Sequence, residues 1–295
     1  MVRNKIRVSK ADLIADICIY TIIVLLSVSI IYPVYYLLIN SFNATLAYGP
    51  AFLLPKGFTL ANYNAIFHDK IILNAFTITI LRTAAGIFMT VFCCSMCGFA
   101  LRKKGLSFRN IYLVIFTIPM FFGGGIIPTY MNYRMLGLLD NFLVYILRFM
   151  FAFFYVIIFM SSFNDIPESL EESAKIDGAG YFRIFLGIYI PISLPVIATI
   201  SLFVGVAQWN SWYDTIYFTS SPKLMTLAGH LLKIIKESNL AGYSSEMSKS
   251  STASSLSPEG IKFATMLVAI LPITMFYPFL QRYFIKGVMI GAVKG

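Results

Sequence analysis

Three groups of side chains in this sequence have the types and spacing to do chemistry. The first is DIPESLEESAKIDGAGYFRIF, residues 165–185, where five of the chain's thirteen acids (Asp165, Glu168, Glu171, Glu172 and Asp177) crowd together. Carboxylates serve as general acids and bases only beside a pocket and a desolvated substrate position. The sequence signals neither, and the acids fall on an exposed face, so the chain is not expected to be an enzyme. The second group, CCSMC at residues 93–97, has superficial metal spacing. A zinc site needs about four converging ligands with partners behind them, so Cys93, Cys94 and Cys97 are read as small residues for helix packing and no metal is expected. The third group is a pair of arginines within apolar runs, Arg82 and Arg148, together with the outer-end cluster Trp209, Asn210, Trp212 and Tyr213.

The elements that position these groups are membrane helices. Charged residues make up 12% of the 295 residues, about half of what a soluble domain carries. Apolar runs long enough to span a bilayer recur along the chain. They predict an all-α integral membrane fold with six transmembrane helices at about 13–39, 72–101, 110–132, 141–163, 191–213 and 263–281, forming one domain over residues 1–295. The first run is too long for a signal-peptide core and is expected to stay as an uncleaved helix.

Orientation follows from where Lys and Arg collect beside the spans. Arg3, Lys5, Arg7 and Lys10 precede the first, Arg102, Lys103, Lys104 and Arg109 join the second to the third, and Arg282, Lys286 and Lys294 follow the last. All lie on one side, which predicts N-in/C-in topology with the 165–190 loop in the cytoplasm and residues 214–262 outside. The net charge of +10 therefore reports topology, and with no basic stripe beyond these flanks no nucleic-acid partner is expected.

Arg82 lies about eleven residues into the second span and Arg148 about nine into the fourth, each roughly 14 to 17 Å from the outer helix end at the ordinary helical rise. A charge at such depth turns toward a partner or a wet cavity. Two readings stand: the arginines border a wet path and meet a polar or anionic ligand group, or they make structural pairs. The aromatics at Trp209, Trp212 and Tyr213 are likewise an interfacial belt or, with Asn210, a flat stacking surface for a ligand. The third span carries Pro119, Gly123, Gly124, Gly125 and Pro128; irregular backbone at membrane depth survives only in protein or along a wet cavity. A broken helix beside a translocation path, or a close-packing site for a neighbouring helix, is expected there.

Within the acidic island, Asp165 is expected to cap a short helix running to about Ile176, with Pro167 in the first turn and Glu168 as the capping-box acid. Gly178 and Gly180 then break it before a second helix whose Phe182, Phe185 and Ile188 or Tyr189 share a face. Ser173, Ala174, Gly178 and Ala179 are small enough to let a partner's groove approach the backbone, while Glu171, Glu172 and Asp177 rim the bend and can meet basic residues. The serine-rich stretch from Ser244 to Gly260 is expected to be a flexible or partner-ordered part of the outer loop.

At EESAKIDGAGYFRIFLGIYIPISLP the residues resemble the EAA signature of bacterial ATP-binding-cassette importer permeases. Glu172, Ala174, Asp177, Gly178 and Pro191 match, while Ser173 and Ile190 depart mildly. SFNATLAYGPAFLLPKGFTLANYNAIF, PMFFGGGIIPTY, WNSWYD and QRYFIKGVMIGAVKG extend the resemblance to the maltose-permease-like carbohydrate-uptake branch, in the subgroup associated with oligosaccharides and complex glycans. The resemblance implies a multi-pass subunit of the bacterial plasma membrane, with the 165–190 loop as a cytoplasmic coupling helix between helices 4 and 5. It also implies as partners a second homologous permease, two ATPase subunits and an extracellular solute-binding protein, with a sugar as cargo. No G-x-x-x-x-G-K-[ST] phosphate loop occurs, so no cofactor is expected in this chain, and ATP and magnesium belong to the ATPase subunits. The alternative from another class, an ion-coupled secondary transporter, ordinarily shows repeats and intramembrane acids; only Asp16 is read as an acid near a span.

Overall fold

The computed structural model describes residues 10–44, 51–245 and 259–275. Among them the fold is helical, the single exception being an isolated bridge between Asn43 and Phe58. The described residues fall into two compact units, one within Met1–His68 and Ser238–Val268, the other within Asp69–Glu237 and Ala269–Gly295.

In the first unit, α1 (Lys10–Ser41) has apolar side chains exposed along most of its length. A continuous run of Ile, Leu and Val with no buried stripe is what a helix facing lipid requires. At its end three asparagines knit the chain. Asn40 donates to Ala51 O at 2.9 Å and accepts from Ala51 N at 2.8 Å, Asn43 accepts from Lys56 N at 2.7 Å, and Asn62 in α2 (Ala61–His68) donates to Ser41 O at 3.0 Å. All three are buried, so each amide replaces backbone partners that an irregular loop cannot supply itself.

The second unit is organised around α3 (Lys70–Leu101), a 32-residue helix capped by Asp69, whose carboxylate accepts from Ile71 N at 2.7 Å. The chain continues through α4 (Arg109–Phe121), α5 (Ile126–Met135), α6 (Leu143–Leu147), α7 (Phe153–Asn164), α8 (Glu168–Ile176) and α9 (Tyr181–Ile184). A π-turn at Phe185–Tyr189 leads to α10 (Ile190–Ile192), α11 (Leu194–Asn210), α12 (Tyr213–Phe218), a 3₁₀ turn at Pro222–Leu224 and α13 (Leu227–Ser245). α3 packs along α7 and α11. At Gly98 an added Cβ would stand 2.9 Å from Phe159 Cβ and 3.1 Å from Met160 N, so the α3–α7 approach depends on the missing side chain. Cys94 is buried and free in the same seam, its thiol weakly facing the carbonyls of Met150 and Ala152 at 3.9 and 3.7 Å.

Among the described residues α1 and α3 are each long and apolar enough to cross a membrane, and the count rises to four if each of two bent pairs forms one span. The glycine-rich break expected in the third apolar run is present: α4 and α5 meet at 116° across Phe122–Gly125, with Gly125 at φ 75°. The fourth run is broken as well, which the sequence reading did not anticipate. α6 stops before Arg148 and α7 starts at Phe153; Thr90 of α3 donates to the freed Phe149 carbonyl at 2.7 Å. A carbonyl without water must find such a donor.

Two local expectations are corrected. Asp165 does not cap α8. It continues the last turn of α7 (φ −77°, ψ −11°), which leaves Pro167 at the cap with no side-chain bond to the new helix. The buried face of the following segment is Ile184, Phe185 and Tyr189, with Phe182 exposed. The π-turn, in which Ile190 N donates to Phe185 O, shifts the register. Pro191 and Pro195 lie just beyond and lack the N–H that would continue an α ladder, and the chain bends by 82° at Ser193. Segment 214–262, expected from the sequence as an outer loop, holds α12 and α13; its residues 246–258 lie outside the described residues.

Gly98→Leu is expected to lower stability by about 1–3 kcal/mol through overpacking of the α3–α7 seam. Gly105→Ala, where an added Cβ meets nothing within 4 Å, should leave it unchanged. A thermal unfolding scan of the detergent-purified protein distinguishes the two.

Candidate functional site

Two charged constellations lie in the second unit, each anchored on α3. The first is built on Asp214, at the start of α12, whose side chain has 0% exposure. Its Oδ2 accepts from Arg82 Nη2 at 2.7 Å and from Ser211 Oγ at 2.9 Å, and its Oδ1 accepts from Arg148 Nη1 at 2.7 Å. Arg82 is equally buried and spends its remaining donors inside the protein. Nε and Nη2 reach Gln208 Oε1 at 3.0 and 2.8 Å, and Nη1 reaches the Ser211 carbonyl at 3.1 Å. Gln208 then donates to Tyr145 O at 3.0 Å, and the Arg82 guanidinium lies 4.4 Å from the Tyr145 ring centroid.

Local sequence explains this convergence. Gly86, one turn beyond Arg82, leaves open the space that the Gln208 amide fills; any Cβ there would collide with it. Arg148 keeps helical dihedrals (φ −59°, ψ −39°) at the end of α6, just before the break, and the extended Ser211 turns the chain so that Asp214 faces inward. Tyr145, fully buried, donates to Leu224 O at 2.6 Å and fixes α6 against the 3₁₀ turn.

The second constellation is built on Glu171 in α8. Its carboxylate is buried and meets Arg102 just past α3, Lys103 at 3.2 Å, Lys175 at 2.8 Å and the Tyr189 hydroxyl at 3.2 Å. Arg102 also lies over the Tyr189 and Phe99 rings at 4.3 and 5.3 Å, and Lys103 sits 3.3 Å from the Tyr181 centroid. Burial lowers the pKa of the Lys103 ammonium, against the contact with Tyr181, which raises it. A groove of about 910 Å³ opens here between the α3–α4 link and α8–α9, lined by Phe99, Lys104, Glu168, Glu172 and Tyr181 among others. The helix tip projects beyond this anchor. Ile176 is 86% exposed, and Gly178 holds φ 78° with no atom of the described chain within 4 Å of where its Cβ would be. Glu172, Ser173, Asp177 and Ala179 share that tip, of which Glu172 and Asp177 are exposed and Ala179 is half-buried, and the Ala179 amide closes the bend onto Ala174 O at 2.9 Å.

The sequence-derived candidates thus divide. Glu171 turns inward as the anchor while Glu172 and Asp177 face out. Arg82 and Arg148, read together as either pathway or structural residues, share one carboxylate of their own chain. Gly123 and Gly125 stand in open space, and Gly124 has only Pro128 Cβ near its missing side chain, at 3.8 Å. Trp209 donates its indole N–H to Ala269 O at 2.9 Å. Asn210 and Trp212 are exposed beside a cavity of about 240 Å³ whose other wall is α13, and Tyr213 carries the Arg148 guanidinium at 4.2 Å from its ring centroid. Sequence reasoning passed over Asp214 and Gln208. Both left a signal: a lone amide in the apolar run before Trp209, and an acid directly after Tyr213, so Asp16 is not the only acid beside a span.

Comparison with known proteins gives concordant results. The family described as "binding-protein-dependent transport system inner membrane component" matches residues 91–290. The polygalacturonan/rhamnogalacturonan transport system permease of Bacillus subtilis strain 168 is 38% identical over 245 residues, 82% of this chain and 84% of that protein. Protein LplC of the same organism is 34% identical over 290 residues, 97% of each. A solved bacterial ABC transporter involved in import of the acidic polysaccharide alginate contains a chain that superimposes with a TM-score of 0.84 at 29% identity, over 94% of this chain and 98% of that one.

Asp214→Asn is expected to cost about 3–5 kcal/mol, because it leaves two guanidiniums without their carboxylate. Arg148→Gln should cost distinctly less, since Arg82 still neutralises Asp214 and the Arg148 side chain is 33% exposed. Unfolding midpoints of the two purified variants test that order.

Proposed function

The chain belongs to the binding-protein-dependent transport system inner membrane component family, and we propose on that basis how it works. It is a permease subunit of a sugar ABC importer, itself without enzymatic activity, and moves an oligosaccharide inward while a separate subunit hydrolyses ATP. The finer architecture we infer is six spans with both termini in the cytoplasm of a bacterial cell. A second homologous permease, two ATPase subunits and an extracellular solute-binding protein complete the assembly. The Lys and Arg clusters beside the apolar runs support this orientation. One relative named above is a polygalacturonan/rhamnogalacturonan permease and the solved transporter is involved in import of the acidic polysaccharide alginate, which supports a complex glycan as cargo.

One observation carries the coupling role: a short helix fixed at its root and bare at its tip. Glu171 roots α8 to the end of α3 through Arg102 and Lys103, with Lys175 of α8 itself and the Tyr189 hydroxyl completing its partners, whereas Ile176 and the Gly178 turn project with nothing from the described residues upon them. An exposed apolar side chain at a glycine bend, rimmed by Glu172 and Asp177, fits a groove of the ATPase subunit lined with basic residues. Glu172, Ser173, Ala174, Asp177, Gly178 and Ala179 form that contact. The break at Gly123, Gly124 and Gly125, with Trp209, Asn210, Trp212 and Tyr213, borders the path.

Because the described residues leave the space around Gly178 empty, crowding by a side chain there reports on a partner. Gly178→Leu in the reconstituted transporter is expected to lower uptake and binding-protein-stimulated ATP hydrolysis at least about tenfold, from both the crowding and the left-handed backbone that a Cβ disfavours. Gly178→Asn, better suited to that backbone, should lose less. Unchanged uptake and hydrolysis in Gly178→Leu would remove the docking role.

A further inference from the structure

The outer constellation has a charge imbalance. Arg82 and Arg148 bring two positive charges to the single carboxylate of Asp214, so one positive charge is uncompensated among the described residues. The surplus belongs to Arg148. Arg82 is fully buried with its guanidinium bonded to Gln208, Ser211 and Asp214, whereas Arg148 uses only Nη1, leaving Nε and Nη2 without hydrogen-bond partners among the described residues on a side chain that is 33% exposed. A guanidinium held in a fixed plane with free donors on one edge is the fork that a carboxylate meets bidentately. At membrane depth, where an unpaired charge is expensive, that edge demands an anion.

A ring cluster adjoins it. Arg148 lies 4.2 Å from the Tyr213 centroid, and Tyr213 stands 4.7 Å from Tyr217 and 6.2 Å from Trp212. Trp212 and Tyr217 are 42% and 43% exposed, more than burial in a packed core would leave them. Flat rings with open faces beside a cation suit a ligand that is apolar on its ring face and anionic at its edge. We propose that Arg148, Trp212, Tyr213 and Tyr217 form a subsite for an acidic sugar, with the carboxylate on the free Arg148 edge and the pyranose C–H face on the exposed rings. Asp214 and Arg82 are positioning residues: they hold one nitrogen of Arg148 so that the other two face outward. This subsite rests on the importer function above and assigns it a substrate class, uronate-containing oligosaccharides.

The test uses the complete permease–ATPase complex in detergent without the binding protein, so that recognition by the permeases alone is read. Affinities for trigalacturonate and for its fully methyl-esterified, neutral form are compared at low salt. Wild type should bind the acid about tenfold more tightly than the ester, Arg148→Gln should erase that gap, and Arg148→Lys should keep part of it, having charge without the fork. Trp212→Ala should weaken both ligands alike. A wild type that does not distinguish acid from ester, or a gap that persists in Arg148→Gln, overturns the proposal and would mean that another chain neutralises Arg148. Should Arg148→Gln fail to assemble, the wild-type gap decides alone: it should narrow as salt rises from about 0.05 to 0.5 M if charge attraction produces it, and a salt-independent gap counts against the subsite. ATP-driven uptake of any glycan by the wild-type complex with its binding protein is scored separately, so the importer function stands or falls independently.

Discussion

A carboxylate with no exposed surface cannot stay charged unless cations surround it, and Asp214 meets that constraint by recruiting residues from three separate stretches. Arg82 comes from the middle of α3, Arg148 from the break after α6, and Ser211 from the turn before α12. Gln208 and Tyr145 are drawn in behind them, and Gly86 must remain bare for Gln208 to fit. Buried pairs of this kind add little net stability over apolar packing, but removing one partner is severe. Their contribution here is to specify one arrangement of α3, α6, α11 and α12, which uniformly apolar surfaces in lipid would specify poorly.

The same economy explains the irregular helices. Where α6 ends, the Phe149 carbonyl is taken by Thr90; where the chain turns near Ser193, a π-turn and two prolines reset the ladder. These two breaks are matched by a donor on α3 or by a change of helical pitch, whereas the break between α4 and α5 relies on the backbone freedom of Gly125. Unbroken α3 is therefore the frame on which the broken segments are supported, and the small residues along it mark where they touch.

Much of this was legible in the sequence because it is written in local rules. The glycine break near Gly123 follows from backbone freedom, the Gly178 turn from the need for positive φ, and the helical class from apolar run length. The position of Ile176 as the end of α8 followed from the glycines behind it. What escaped depends on contacts between residues far apart. Nothing near Asp214 says that its partners lie 132 and 66 positions upstream, and Thr90 gives no sign that it will serve a carbonyl 59 residues away. Asp165 misled because a good capping residue two positions before a proline looks the same whether it opens the next helix or closes the previous one.

α3 joins the two charged centres directly. Arg82 and Arg102 are separated by about 30 Å of uninterrupted helix at the ordinary rise per residue, with Asp214 gripping one and Glu171 the other. A straight helix resists compression and bending far better than its broken neighbours, which carry bends of 116° and 82°. α3 is thus an unbroken strut held by an ion pair at each end, with the sharp bends of the chain confined to the segments packed around it.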